Sequence, residues 1–224
     1  MRRRWADLRL RVISAAAIVP PSVAAIWLGG WAFIALIALA LAVLIVEWAL
    51  MCRQASRPFL PVAGLAWIVL AACSLLWLRD DPAAGRVNVL FLALVVWASD
   101  IGAYAAGRLF GGPRLAPSIS PAKTWAGAGG GLLAALAVGA LIALAVEGTG
   151  RLPAAAGVAV LLGVAAQLGD LTESGAKRRL GVKDSGRLIP GHGGLLDRVD
   201  GLLAASPVAA LLALGAGRGL MLWS

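Results

Sequence analysis

Two short stretches of an otherwise apolar chain hold most of the residues that could do chemistry. The denser one, Gly169 to Asp200, contains five of the eleven acidic residues, six of the twenty basic residues and the only histidine. Asp170 closes an apolar run, Asp197 follows Leu195-Leu196, and Asp200 comes three residues later. Carboxylates at membrane depth are costly and tend to mark functional sites. Two or three of them converging suit a hard divalent cation such as Mg2+, which takes oxygen ligands and keeps part of its shell for substrate phosphates. If 169–180 is helical, Asp170, Ser174 and Lys177 fall at i, i+4 and i+7 on one face, flanked by Arg178. Such a line can meet a metal-bound polyphosphate, with the Asp on the metal and the Ser and Lys on phosphate oxygens. Helix-end ion pairing would account for Asp170 alone, but less well for the whole arrangement. Lys177, Arg178, Lys183, Arg187 and Arg198 add more positive charge than the local acids would neutralise once a metal is bound. In Ile189 to Gly194, three glycines bracket His192 and expose backbone N–H groups. A lone loop histidine is ordinarily polar surface; this setting raises a phosphate-contacting or proton-handling role to an equal alternative.

The second stretch, Ser99 to Trp125, places Asp100 near the end of an apolar run and Tyr104, the only tyrosine, one turn on. Ser120, Lys123 and Thr124 then supply two hydroxyls and an ammonium just before the next apolar run. An interfacial anchor explains Trp125 but not these neighbours. Gly127 and Gly129 to Gly131 are read as close helix packing rather than a phosphate loop, because no Lys-Ser/Thr ending follows them.

What must position these residues is a set of membrane helices. Of 224 residues, 61% are hydrophobic and only 14% charged, against about 25% charged in soluble domains. That excludes an ordinary soluble fold and disorder alike. Cys52 and Cys73 sit in or beside apolar runs and are expected to be free thiols, so a disulfide scaffold is excluded. Seven segments are long and apolar enough to be candidate spans: 12–29, 31–50, 60–78, 87–107, 127–146, 153–169 and 201–217. Pro20, Pro21 and Pro207 fall inside such runs and are expected to kink them, with neighbours or water satisfying the freed carbonyls. With the N-terminus in the cytoplasm, 16 of the 20 Lys and Arg residues fall on the cytoplasmic side. Trp27, Trp31, Trp48, Trp77 and Trp223 are expected at headgroup level. The basic start and following apolar run are read as a membrane anchor, not a cleaved signal. The expected architecture is all-α: one polytopic integral membrane domain over 1–224, with about seven transmembrane helices and a polar active site facing the cytoplasm. It divides into N-terminal helices 1–98, a catalytic region 99–200 and a final helix 201–224. The net charge of +9 fits a membrane surface and a phosphate-bearing substrate; basic residues without interleaved aromatics give no support to nucleic acid.

The pattern Ser174-x-x-Lys177-Arg178-x4-Lys183-Asp184, continued by Pro190-x-His192-Gly193-Gly194-x-x-Asp197-Arg198-x-Asp200, resembles the signature of the phosphatidate cytidylyltransferases, or CDP-diacylglycerol synthases. Ser99-Asp100-x-Gly102-Ala103-Tyr104, Gly107-Arg108, Phe110-Gly111 and Ser120-Pro121-x-Lys123-Thr124-Trp125 resemble the same family, as does Glu47-Trp48 more weakly. The resemblance implies a membrane enzyme, expected in a bacterial cytoplasmic membrane, that condenses CTP with phosphatidate to CDP-diacylglycerol and pyrophosphate. It implies metal-binding roles for Asp170 and Asp197, with Asp200 added as a third metal candidate. Lys177, Arg178, Lys183, His192 and Arg198 are the candidate catalytic residues. Ser174, Asp184, Ser120, Lys123, Thr124, Asp100 and Tyr104 are the candidate substrate-binding residues. Mg2+ is the expected cofactor, with room for a second cation, and small-residue faces allow a homodimer. This chain departs from the family at Ile101, Ala122 and Ala126, and is short between its second and fourth candidate spans. Another CTP-dependent lipid enzyme, such as a polyprenol kinase, and a non-catalytic membrane protein stay open as alternatives.

Overall fold

Lipid offers no partner to backbone N–H and C=O groups, so apolar runs in a membrane close their hydrogen bonds internally as helices. The computed structural model describes residues 18–54, 59–182, 184–186 and 193–224. Each of the seven candidate spans coincides with a helix: α1 (Ile18–Leu28), α2 (Gly30–Met51), α3 (Phe59–Arg79), α4 (Gly85–Phe110), α5 (Trp125–Glu147), α6 (Leu152–Arg179) and α7 (Leu196–Ala216). Five helical runs are long and apolar enough to cross a membrane. One of them, Trp125–Arg179, folds back at a 3-10 turn over Gly148–Arg151 to give α5 and α6 as antiparallel neighbours. α1, at Ile18–Leu28, is shorter than a span, and residues 12–17 of the first candidate segment lie outside the described residues. The protein is an all-α integral membrane protein.

In α5 the inward face is small and the outward face larger and apolar. The buried positions of α5, Gly127, Gly131, Ala135, Gly139 and Ala143, recur every four residues and form one stripe. Leu133, Leu141 and Leu144 face outward from the same helix. Gly102 and Ala106 of α4 lie directly against Gly130 of α5, so the glycine run serves helix packing, as its composition predicted. Both cysteines are free thiols.

Pro207 lies within α7 without ending it. The carbonyl it deprives of a donor is that of Leu203, four residues back, and Trp67 of α3 supplies an indole N–H at 3.0 Å. Neighbouring-helix rescue was the expected remedy, and Trp67 provides it. The tryptophans themselves divide. Trp31 and Trp27 are exposed, as membrane-facing residues should be. Trp48 and Trp223, expected at headgroup level, are instead buried. Trp48 donates to the Pro61 carbonyl at 2.9 Å; Trp223 donates to Glu147 at 2.7 Å and packs on Phe91 with ring centroids 4.6 Å apart. Their N–H groups found protein acceptors, which makes indole burial affordable.

A feature that hydropathy did not predict joins α4 to α5. β1 (Arg114–Ala116) and β2 (Ser120–Thr124) form an antiparallel hairpin with Arg114 opposite Thr124 and Ala116 opposite Ser120. Thr124 also caps α5, its hydroxyl oxygen accepting the Gly127 N–H at 3.0 Å.

At the opposite end of the bundle the polar groups close on one another. The Asp81 carboxylate accepts N–H bonds from Ala83, Ala84 and Gly219 at 3.0, 2.9 and 2.6 Å. These donors, Ala84 foremost, hold its pKa below the ordinary carboxylate value against the opposing effect of burial. The Asn88 amide donates to the Leu220 carbonyl at 3.1 Å and accepts from the Leu222 N–H at 3.0 Å. The C-terminal segment is thereby fastened across the start of α4.

Candidate active site

The hydropathy reading ends the sixth apolar segment at 169, but the helix does not stop there. α6 continues to Arg179, so Asp170, Glu173, Ser174 and Lys177 stand on successive turns of one rigid element. The assumed helix over this stretch is present, and Ser174 and Asp170 meet as i,i+4 neighbours with Oγ donating to Oδ1 at 3.4 Å. α7 begins at Leu196 with Asp197 in its first turn and Asp200 one turn on. The two helices approach closely at Gly169, where a Cβ would come within 2.7 Å of the Asp200 carbonyl oxygen. That small residue is what brings Asp200 beside Asp170.

Asp170, Glu173 and Asp200 each offer a carboxylate oxygen, and these oxygens lie within 4.8 Å of one another. Glu173 is 1% exposed, and its Oε1 has no hydrogen-bond partner among the described residues. Its other oxygen pairs with Lys177 Nζ at 2.6 Å, and the same ammonium reaches Asp197 Oδ1 at 2.8 Å. Asp197 Oδ2 accepts the Gly194 N–H at 3.0 Å, and the Ser185 N–H is shared between both Asp197 oxygens at 3.2 Å. Lys123 reaches in from β2 to Asp170 Oδ2 at 2.5 Å. Three carboxylates so close repel one another, and cations are the physical remedy: two lysines stand around them, and their geometry can also hold a metal ion.

These groups line a cavity of about 810 Å³ between α4, the hairpin, α6 and α7. Asp100, Lys123, Asp170, Lys177, Asp197 and Asp200 all face it, with Arg198 and the exposed Asp184 also on its wall. Tyr104 and Arg108 lie at its α4 side, Arg108 Nη1 donating to the Tyr104 hydroxyl at 3.2 Å. Thr124 lines it too, but its hydroxyl oxygen is engaged in the α5 cap. Three expected residues stand apart from the lining. Ser174 lies beside Asp170, Ser120 sits in β2, and Arg178 Nε donates to the Ile119 carbonyl at 3.2 Å, tying α6 to the hairpin. Lys183 and His192, with Arg187 and Pro190, lie outside the described residues.

The expected metal set was Asp170, Asp197 and Asp200. The oxygens that converge belong to Asp170, Glu173 and Asp200, while Asp197 is held by Lys177 and by loop N–H groups. Glu173 was missed in the sequence, although its place three residues after Asp170 and four before Lys177 puts it on their helix face. Gln167, one turn below Asp170, also lines the cavity and donates to Ser99 Oγ and the Ala128 carbonyl at 3.3 and 3.1 Å. Glu47 of α2 had drawn notice only through the weaker part of the resemblance. It is 5% exposed and accepts the N–H groups of Leu195 and Leu196, both at 2.8 Å.

Comparison with known proteins places this site in context. A sequence model of the cytidylyltransferase family matches residues 53–214, which include every residue lining the cavity. The phosphatidate cytidylyltransferase of Brucella suis biovar 1 is 53% identical over 154 residues, covering 68% of this chain and 55% of that protein. The phosphatidate cytidylyltransferase of Staphylococcus saprophyticus is 42% identical over 145 residues, covering 65% and 56%. That of Haemophilus influenzae is 45% identical over 131 residues, covering 57% and 46%. The chain spans about half the length of the curated relatives it matches.

Proposed function

This chain belongs to the cytidylyltransferase family, and on that premise we propose that it condenses CTP with phosphatidate, releasing pyrophosphate and leaving CDP-diacylglycerol in the membrane. The observation that carries this reading is the cavity itself: carboxylates and lysines interleaved on a wall of about 810 Å³, in a bundle whose outer surface is apolar. A lipid phosphate can reach such a site from the bilayer while a nucleotide enters from water.

The reaction asks little of a base. An anionic oxygen of the lipid phosphate forms a bond to the α-phosphorus of CTP, and the α–β bridging bond breaks, its electron pair leaving with pyrophosphate. The obstacle is repulsion between two anions, so charge neutralisation is the main catalytic requirement. Lys123, Lys177 and Arg198, from the hairpin, α6 and α7, surround the cavity with positive charge. The lysines are positioned to exchange their carboxylate partners for phosphate oxygens. Asp170, Glu173 and Asp200 would hold a divalent cation such as Mg2+; the partnerless buried oxygen of Glu173 fits that use. When bound, the ion would neutralise phosphate charge and polarise the phosphorus–oxygen bonds. Asp197 orients Lys177 and holds the N–H groups of Ser185 and Gly194. Asp100, Asp184 and Tyr104 line the cavity where they could bind or orient the substrates, and Ser174 would act through its bond to Asp170. Lys183 keeps the phosphate role proposed from the sequence, and His192 the phosphate-contacting or proton-handling role. The Lys and Arg distribution supports a site on the cytoplasmic side of a bacterial inner membrane, and small residues left on the outside of α5 and α6, Gly129 and Gly157, suit a homodimer.

The test is an assay in mixed micelles with α-labelled CTP, phosphatidate and Mg2+. Label moving into a chloroform-soluble product, with stoichiometric pyrophosphate, is the expected result. No labelled lipid from folded, metal-supplied protein would overturn the reading. Label transfer from γ-labelled CTP to a polyprenol would replace it with a kinase.

A further inference from the structure

α7 begins without a cap of its own: Leu195, at its N-cap, has no side chain able to accept the first free N–H groups. The acceptor comes from a different helix. The two oxygens of Glu47, near the end of α2, take the N–H groups of Leu195 and Leu196 separately, at 2.8 Å each. Glu47 Oε2 also accepts the Ser185 hydroxyl at 3.4 Å. A carboxylate at a helix N-terminus is favoured by the helix dipole as well as by these bonds. Gly186 and Gly194 leave room for that carboxylate. A Cβ on Gly194 would fall within 2.8 Å of both Glu47 oxygens, and one on Gly186 within 3.0 Å of Oε1.

The contacts continue into the cavity. Ser185, whose hydroxyl meets Glu47, gives its N–H to Asp197 at 3.2 Å; Asp197 accepts from Lys177 at 2.8 Å; and Lys177 pairs with Glu173 at 2.6 Å. Glu47 itself is 5% exposed and does not border the cavity, so it is no substrate ligand.

We propose that Glu47 is a positioning residue: it caps α7 from α2 and thereby sets Asp197 and Lys177 in register with the carboxylates of α6. Its effect on turnover rests on the nucleotidyl-transfer reading, whereas its effect on the loop does not.

Glu47→Gln tests both parts. The amide keeps the shape but turns an N–H donor toward one of the two N–H groups it must serve. Amide deuterium exchange over 193–200 should quicken at least tenfold, with α3 and α4 unchanged, and kcat should fall at least tenfold. Trp67→Phe is the control, since it removes another buried bond to α7 but leaves the loop untouched; its kcat should stay within threefold of wild type. Gly194→Ala, which presses on the same carboxylate from the loop side, should reproduce the Glu47→Gln pattern. Unchanged exchange in Glu47→Gln overturns the proposal. So does faster exchange with unchanged kcat, or an equal loss of kcat in Trp67→Phe. A wild-type protein with no transfer activity would count against the proposed reaction, while exchange alone would still decide the tie.

Discussion

The two ends of this bundle use the same polar chemistry to opposite purpose. At one end, Asp81 and Asn88 spend their polar atoms on backbone groups of the α3–α4 turn and the C-terminal segment. At the other, Asp170, Glu173 and Asp200 crowd together, and one buried oxygen is left without a partner among the described residues. Carboxylates matched to N–H donors are fasteners. Carboxylates matched to each other, on the wall of a large cavity, store repulsion that a cation can relieve. Burial alone would not separate the two cases, since Asp81 and Glu173 are both buried. What separates them is the identity of the partner.

The contrast is tested most sharply by removing one crowded carboxylate. Asp200→Asn should lower turnover at least ~100-fold, in the range of losing a principal electrostatic contributor, while raising the thermal midpoint by relieving repulsion from Asp170 and Glu173. Mg2+ should raise the midpoint of wild type but not of this variant, and EDTA should reverse the rise. A variant that loses stability and keeps activity would erase the distinction between the two ends.

Lys177→Met probes the boundary, because this lysine is both fastener and candidate phosphate ligand. It leaves Glu173 and Asp197 without their shared cation, so stability should fall by about 3 kcal/mol, and turnover should fall at least ~10-fold, since a charge-stabilising group is lost. Denaturation in detergent and steady-state kinetics read the two losses separately. Loss of turnover alone would show that the ion pairs hold little of the structure.

The smallest effect belongs to the closed end. Asp81→Asn should cost about 1 kcal/mol and leave kcat unchanged. Because the N–H donors lower the Asp81 pKa in the folded state, its contribution is fully present above the ordinary carboxylate value of about 4. It is lost as pH falls through the lowered value. Wild type should therefore lose stability with acid more steeply than Asp81→Asn; parallel midpoint-versus-pH curves would show that the fastening is not electrostatic.

Much of this architecture was legible in the chain. Each of the seven apolar segments carries a helix, because hydropathy and length suffice where lipid forbids any other backbone solution. The glycine run was expected to pack closely on a helix, and α4 is the helix it packs against. The polar stretches 99–125 and 169–200 do meet, as the resemblance implied. The hairpin over Arg114–Thr124 was not legible, since its apolar pattern is too short and irregular to register. Nor was the burial of Trp48 and Trp223: an indole near a span end has the same sequence signature whether it faces headgroups or an acceptor such as Pro61 or Glu147.

Composition and charge spacing, which act locally and additively along the chain, were enough to specify a membrane helix bundle with a charged site at one end. Which carboxylates stand together, and which pair with a lysine, came from the packing of the helices. Glu173, which the sequence reading did not single out, stands with Asp170 and Asp200 because α6 runs nearly three turns beyond its apolar segment, while Asp197 accepts the Ser185 and Gly194 N–H groups ahead of α7. Glu47 gained its place through bonds to Leu195 and Leu196, 148 and 149 residues away in the chain. Partner choice between distant polar groups depends on how whole helices pack, and no local pattern carries that information.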